Sequence, residues 1–301
     1  MQPMNHFCAL CIGAALALAQ APNPQQVPEN ATTRVSDHVH AIIGFPNIAI
    51  VTGTRATLVV DTGMGPRNGA VIVREVDKLA KNPILYLTTT HFHPEHAAGE
   101  QAFPPHTVLV RNKEQQDELQ QRGAEYLELF SSRSAANKAL LEGVKFRPPD
   151  VLYDHEIKLD LGGVTVRLFW LRAAHTKGDE MIFVEGDSVL IPGDIVQSKL
   201  VPNMPNADAS PKGWIAILDQ LEALKPRLIV PDHGVLGDGS LIQKEKAFLV
   251  DARTRALELK RQGAKVDDAG KTVTTELMAK YPDWTGGNIG NIVRRVYEEV
   301  Q

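Results

Sequence analysis

Short apolar runs alternate with turn residues from the start of the domain-like sequence. Residues 37–61 read VHAIIG, NIAIVTG and ATLVVD, broken at Gly44-Phe45-Pro46 and Gly53-Thr54. That pattern predicts three successive strands, the third ending at Asp61-Thr62-Gly63. Val71, Val73, Val76 and Leu79 fall on one helical face and predict a helix over 67–81. The run Pro83–Thr90 predicts another strand, followed by a helix over 96–101 and a short strand over 107–110. From 112 to 141 the spacing turns helical and charged. Strands return at 156–161 and 164–171, joined by Gly162-Gly163, and at 181–185 and 188–191. A helix over 211–224, a strand over 227–230 and helices over 241–262, 272–280 and 288–300 complete the reading. Many strands are joined by tight turns, which favours mixed sheets. The two β-rich blocks, 37–110 and 156–233, predict an α/β (α+β) fold with two packed sheets flanked by helices.

Composition changes this picture little. A chain of 301 residues can hold one large domain or two small ones, and 43% hydrophobic with 23% charged residues is ordinary for a globular protein. The net charge of -4 gives no basic footprint for nucleic acid. The N-terminus differs from the rest. Phe7–Ala19 is almost wholly apolar, yet shorter than the roughly 20 residues a membrane span needs. It suits a secretory signal over 1–19, with Ala17-Leu18-Ala19 as the cleavage site, and the alternative is an uncleaved anchor. A Pro- and Gln-rich linker over 20–34 and a domain over 35–301 follow. Cys8 and Cys11 lie inside the apolar segment, so the mature chain would have neither disulfides nor thiolate ligands. The expected location is periplasmic or secreted, with no stable membrane association after cleavage. Nothing in the sequence fixes the oligomeric state.

The candidate chemistry is concentrated in His91-Phe92-His93-Pro94-Glu95-His96, directly after a predicted strand. Imidazole nitrogens and carboxylate oxygens are ligands for a borderline metal such as zinc. His91 and His93 flank Phe92 and point the same way in extended backbone. One or two such histidines would read as a polar loop. Three further candidates, His175, Asp194 and His233, also stand where strands run out into loops. His6 lies in the signal, and His38, His40, His106 and His155 lack ligand spacing.

With these motifs in hand, the chain resembles the metallo-β-lactamase-fold hydrolase superfamily over about residues 35–235. The matching segments are Asp61-Thr62-Gly63, Thr90 to His96, His175-Thr176-Lys177-Gly178-Asp179, Pro192-Gly193-Asp194 and Pro231-Asp232-His233-Gly234. The resemblance implies an αββα sandwich with two metals at one edge of the sheets, here with a helical C-terminal extension over about 241–300. It implies His91, His93 and His175 as ligands of the first metal. His96, His233 and the acidic residue at 95 would serve the second, and Asp194 would bridge the two. Asp61 would orient the site through hydrogen bonds without touching metal, unless it is only a turn residue before Gly63. Two Zn2+ per chain are expected.

One departure stands out. The family usually has aspartate where this chain has Glu95. Its extra methylene moves the carboxylate by about a bond length, while zinc distances tolerate only about 0.2 Å. Glu95 then still binds, leaves the second metal weak, or acts as a base beside it.

The implied reaction is hydrolysis of an ester, lactone or amide-type carbonyl of a small-molecule substrate, by water activated at the metals. Glu95 and Asp194 are the catalytic candidates. Asp194 stands where dedicated β-lactamases usually carry Cys or Ser, which lowers a β-lactam reading. The rivals are a mono-iron dioxygenase of the same fold and a non-catalytic metal-binding accessory protein. The segment Val196–Trp214 either borders the site through Lys199, Asn203, Asn206 and Asp208, or is a Pro-rich connector that caps the next helix. The helical insert over about 112–142 is a candidate lid, with Tyr126 and Phe130 expected to face the core.

Overall fold

The computed structural model describes residues 25–299. Two mixed sheets lie face to face. The first holds β1 (Thr32–Arg34), β2 (Val39–Ile42), β3 (Ile48–Thr52), β4 (Thr57–Val60), β5 (Ile84–Thr88), β6 (Val108–Asn112) and β7 (Val151–Tyr153), in that spatial order. Its first four strands are antiparallel, as tight turns require, and the pairings from β4 to β7 are parallel. The second sheet runs β12 (Leu228–Ile229), β11 (Val189–Ile191), β10 (Glu180–Val184), β9 (Thr165–Trp170), β8 (Glu156–Asp160). Only β11 and β12 pair in parallel there.

Period-2 alternation explains the layering. Ala49 and Val51 of β3, with Leu58 and Val60 of β4, pack against Val166, Leu168, Ile182, Val184 and Ile191 of the second sheet. Their neighbours Ile48, Ile50 and Val59 point the other way, onto Val71, Ile72 and Val76 of α1 (Gly65–Leu79). Both faces are therefore apolar, and each fully buried Val, Leu or Ile contributes about 1.5–3 kcal/mol. On the outer face of the second sheet, Phe169, Met181 and Leu190 meet helices that follow it in sequence. These are α5 (Pro211–Ala223), α6 (Ser240–Arg261), α7 (Val266–Lys280) and α8 (Ile289–Glu299). The result is the αββα sandwich with its helical extension.

Several boundaries differ from those the pattern predicted. β1 lies inside the expected linker, and Val27 is buried against Asn68, whose Oδ1 accepts its N–H at 3.0 Å. β7 went unseen because three residues carry no readable periodicity. α7 begins six residues early, where Asp267 and Asp268 supply an acidic first turn. The helix expected over 96–101 is instead α2 (Pro94–Ala97) followed by a 3-10 turn over Glu100–Ala102. Proline at the first helical position sets that start. Residues 1–24, which carry the expected signal and both cysteines, lie outside the described residues. Among the described residues no helix is long and apolar enough to cross a membrane.

Candidate metal centre

The break at Pro94 decides how one short motif supplies two sets of donors. His91 and His93 precede it, while Glu95 and His96 sit on the helical turn after it. All four side chains are buried. His91 Nε2 lies 3.0 Å from His93 Nδ1, and His175 Nε2 lies 3.3 Å from the same His93 nitrogen. His175 Nδ1 is 2.7 Å from the backbone oxygen of Asn203, which only accepts, so that nitrogen carries the proton. In a neutral ring, Nε2 of His175 then offers a lone pair inward. Burial, then repulsion from neighbouring imidazoles, holds His91 and His93 well below the usual histidine range. Neutral imidazoles with facing nitrogens are the form that binds a cation. His91, His93 and His175 fit a divalent metal on this ground.

His96 is arranged differently. Its Nδ1 is 3.0 Å from Asp61 Oδ2 and 3.3 Å from Asp232 Oδ2. Its Nε2 points the other way, 3.8 Å from Asp194 Oδ1, with no hydrogen-bond partner. Burial alone would lower its pKa, but the carboxylates of Asp61 and Asp232 overcome this and raise it. His233 Nε2 also reaches Asp194 Oδ1, at 3.1 Å, while the other oxygen of Asp194 lies 3.4 Å from His175 Nε2. Each oxygen of Asp194 thus faces a different group of histidines. Burial would raise the Asp194 carboxyl, yet His233, His175 and His91 hold it well below the usual carboxylate range.

Distance alone groups His91, His96, Asp194 and Asp232. The atoms argue for a different role for Asp232, because it approaches His96 from the Nδ1 side, as Asp61 does. Asp61 and Asp232 are therefore orienting carboxylates, a role the sequence suggested for Asp61 and missed for Asp232. Thr90 holds both. Its N–H donates to Asp61 Oδ1 at 2.7 Å, and its hydroxyl is 2.8 Å from Asp232 Oδ2. Asp61 also has φ of 69°, a left-handed conformation costly for a residue with a side chain. Burial, with repulsion from Asp61, pushes Asp232 up to about 7.

Glu95 belongs to neither metal-compatible group. It is buried beside the second set, in the field of His96, Asp194 and His233, and its Oε2 has no hydrogen-bond partner. Burial raises its pKa.

The surrounding loops are tied down locally. Gly193 has φ of 61°, and a Cβ there would meet Thr90 Cβ at 2.9 Å, so glycine brings Asp194 close to the histidine motif. Asp179 accepts the backbone N–H of His175 at 2.9 Å. Asn47, between β2 and β3, donates to Pro231 O at 2.7 Å and Gly234 O at 2.9 Å and accepts from Gly44, while its own N–H reaches Asp232 O at 2.6 Å. Phe45 stacks on His233 with centroids 4.0 Å apart.

The segment Val196–Trp214 proves to be both wall and connector. Asn203 accepts from His175, and Asn206 accepts from the Tyr126 hydroxyl. Lys199 instead pairs with Asp283, Asp208 is exposed, and Ser210 caps α5 through Gly213 N at 2.9 Å. The helical insert is α3 (Lys113–Ser132) and α4 (Ala135–Leu141). It is packed down as a wall: Tyr126 and Phe130 are buried, as expected, and Tyr126 stacks on His93 at 4.7 Å and 12°.

The sequence model of the metallo-beta-lactamase superfamily matches residues 42–233. The chain belongs to this superfamily. Its His/Asp cluster suits a divalent metal. Among curated proteins it is similar to a linear primary-alkylsulfatase from Pseudomonas sp. (strain ATCC 19151), 23% identical over 216 residues, which are 62% of this chain and 40% of that protein. Among solved structures it is similar to the stereoselective inverting sec-alkylsulfatase Pisa1 from Pseudomonas sp., with a TM-score of 0.73 and 14% identity over 90% of this chain and 50% of that one. A metallo-beta-lactamase from Pontibacter korlensis aligns with a TM-score of 0.57 and 21% identity, covering 73% of this chain and 98% of that one. At these identities the structural likeness shows the fold. The chain spans half or less of the length of these alkylsulfatases.

Proposed function

We propose that this superfamily member hydrolyses sulfate esters of small molecules at a centre that holds two zinc ions. The observation that carries the binuclear reading is the division of Asp194, with one oxygen facing His175 and the other facing His233 and His96. The sulfate reading is supported by the alkylsulfatase relative and replaces a carbonyl ester or lactone as the first substrate class to test.

When bound, the metals supply Lewis-acid activation of water and neutralise charge on the ester. His91, His93 and His175 would hold the first ion through their mutually facing nitrogens. His96, His233 and Asp194 would hold the second, with Glu95 beside them as an adjustable further donor. Asp61 and Asp232 keep the proton of His96 on Nδ1, so that Nε2 faces inward. Asn203 does the same for His175. Tyr126 and Phe130 exclude water from the outer side of His93. Export to the periplasm or medium is part of the same proposal and rests on residues 7–19.

The test is metal analysis of the full chain purified without added metal, followed by rate measurements on alkyl sulfates, lactones, carboxylic esters and β-lactams. About two zinc per chain is the expected stoichiometry for such a site. Alkyl sulfates should turn over fastest. A single iron with oxygen consumption sinks the hydrolase assignment at this site. Turnover of lactones alone, with alkyl sulfates inert, returns the carbonyl reading to first place.

A further inference from the structure

The outer end of the α3 wall carries a cation that no acid neutralises. Arg133 follows α3 directly, is exposed, and holds its guanidinium carbon 3.5 Å from the centroid of the Phe130 ring. Phe130 in turn lies 6.1 Å from the His93 ring. The Phe130 ring therefore connects Arg133 to the first histidine set, and the charge of Arg133 helps hold His93 low, behind burial, His175 and His96. Three other cations near α3 are matched. Lys113 faces Asp154, Arg122 faces Glu125 and Lys177 faces Glu114. Arg133 faces no carboxylate among the described residues.

A second observation lies at the other end of the same wall. Asn206 is 1% exposed, its Oδ1 accepts the Tyr126 hydroxyl, and its Nδ2 has no partner. A buried amide that keeps free N–H donors costs about 1–3 kcal/mol unless something accepts from them. Tyr126, stacked on His93, connects this amide to the metal centre. The wall thus presents an unmatched guanidinium and an unmatched amide donor, on either side of the aromatic pair that covers His93. Both groups donate, and neither is satisfied by a neutral hydrocarbon.

We propose that Arg133 is a specificity-determining residue that recognises the negative charge of the substrate at the α3 wall. This deepens the sulfate ester reading and rests on it. A sulfate monoester keeps one negative charge and three terminal oxygens that accept hydrogen bonds. Arg133 meets that charge as it approaches. A neutral ester gains nothing from it. Guanidinium suits the task because its planar donors match oxyanions and its face rests on an aromatic ring.

The experiment compares octyl sulfate with octanol by titration calorimetry on the full chain, below the micelle concentration. Wild type, Arg133→Gln and Arg133→Lys are each measured, and alkyl sulfate turnover is recorded alongside. Arg133→Gln should weaken octyl sulfate about tenfold, as expected for a charge-assisted contact, and leave octanol unchanged. Arg133→Lys should recover most of the loss. Raised salt should weaken octyl sulfate for wild type more than for Arg133→Gln. Equal weakening of both ligands overturns the proposal, since it would mean that Arg133 only packs on Phe130. Unchanged octyl sulfate binding in Arg133→Gln, or no binding by wild type, also overturns it. Arg133-dependent binding without turnover keeps this inference and sinks the sulfatase reading. Turnover that ignores Arg133 does the reverse.

Discussion

His91 and His175 are backed by a hydroxyl and a carbonyl, Thr90 Oγ1 at 3.2 Å and Asn203 O at 2.7 Å. His96 is backed by two carboxylates, Asp61 and Asp232. Neutral acceptors fix which nitrogen carries the proton and little else. Anionic acceptors also raise the basicity of the ring they hold. The first set is therefore made by sterics, burial and mutual repulsion among imidazoles. The second is made by an electrostatic arrangement that spans Asp61, Thr90, His96 and Asp232, and beside it lies one acid, Glu95, whose Oε2 is unmatched. The contrast teaches that the first set is preformed, whereas the second depends on neighbours being charged and in register.

The sharpest way to break this contrast is to remove a member of the first set. His175→Ala should leave the fold standing and abolish binding of the first ion, with hydrolysis down by about a thousandfold, as the loss of several kcal/mol of metal assistance implies. Metal analysis and steady-state rates check it. If the variant keeps both ions, the preformed set has been misidentified. Asp61→Asn keeps the shape of the side chain and removes its charge. It should weaken the second ion by about 10–100-fold, the usual cost of losing an orienting carboxylate, and spare the first. Competition with a chelator reads the two affinities separately. Equal weakening of both would erase the distinction drawn above. Glu95→Gln should lower occupancy of the second site about tenfold, since a charge-assisted contact is lost. Native mass spectrometry counts the ions. Unchanged counts would place Glu95 outside the metal shell.

The smallest effect belongs to a buried acid outside both sets. Glu180 is held by Thr88 and by Tyr153 at 2.6 Å, and burial pushes its carboxyl up to about 8. The folded state therefore binds this proton more tightly than the unfolded chain does. Stability should fall as pH rises from the unfolded pKa of about 4.3 towards 8. Glu180→Gln should flatten that slope and melt about 2–4 °C higher than wild type at pH 8. Thermal scans at pH 5 and pH 8 decide it, and an unchanged slope would show that folding does not tighten the hold of Glu180 on its proton.

Much of the site was legible because its donors are packed into short segments with simple periodicity. His91 and His93 share a face by the alternation of extended backbone, and Asp61, Asp194 and His233 each follow an apolar strand within four residues. What escaped notice is nonlocal. Thr90 meets Asp232 across 142 positions, and no pattern in either segment announces it. Asp232 stood inside a recognised motif and received no role, because a residue beside a candidate ligand looks like spacing. Asn206 was suspected, but its tie to Tyr126 depends on how a helix and a loop settle in space. The three-residue strands β1 and β7 escaped for a different reason: they are held by pairing partners, and their own residues carry too little pattern.

Asp194 has one further consequence. In the proposed two-metal centre, a carboxylate shared between two cations would be a thermodynamic link between them. Whatever the first ion does to the affinity of the second, the second must return in equal measure. If two ions bind as proposed, orientation of Asp194 by one would fix the geometry left for the other, and the two would not bind as independent events. The affinity of the second set, measured with the first filled and with the first removed by mutation, should then differ, and the size of that difference would measure how rigidly β11 and the turn after it hold a single side chain.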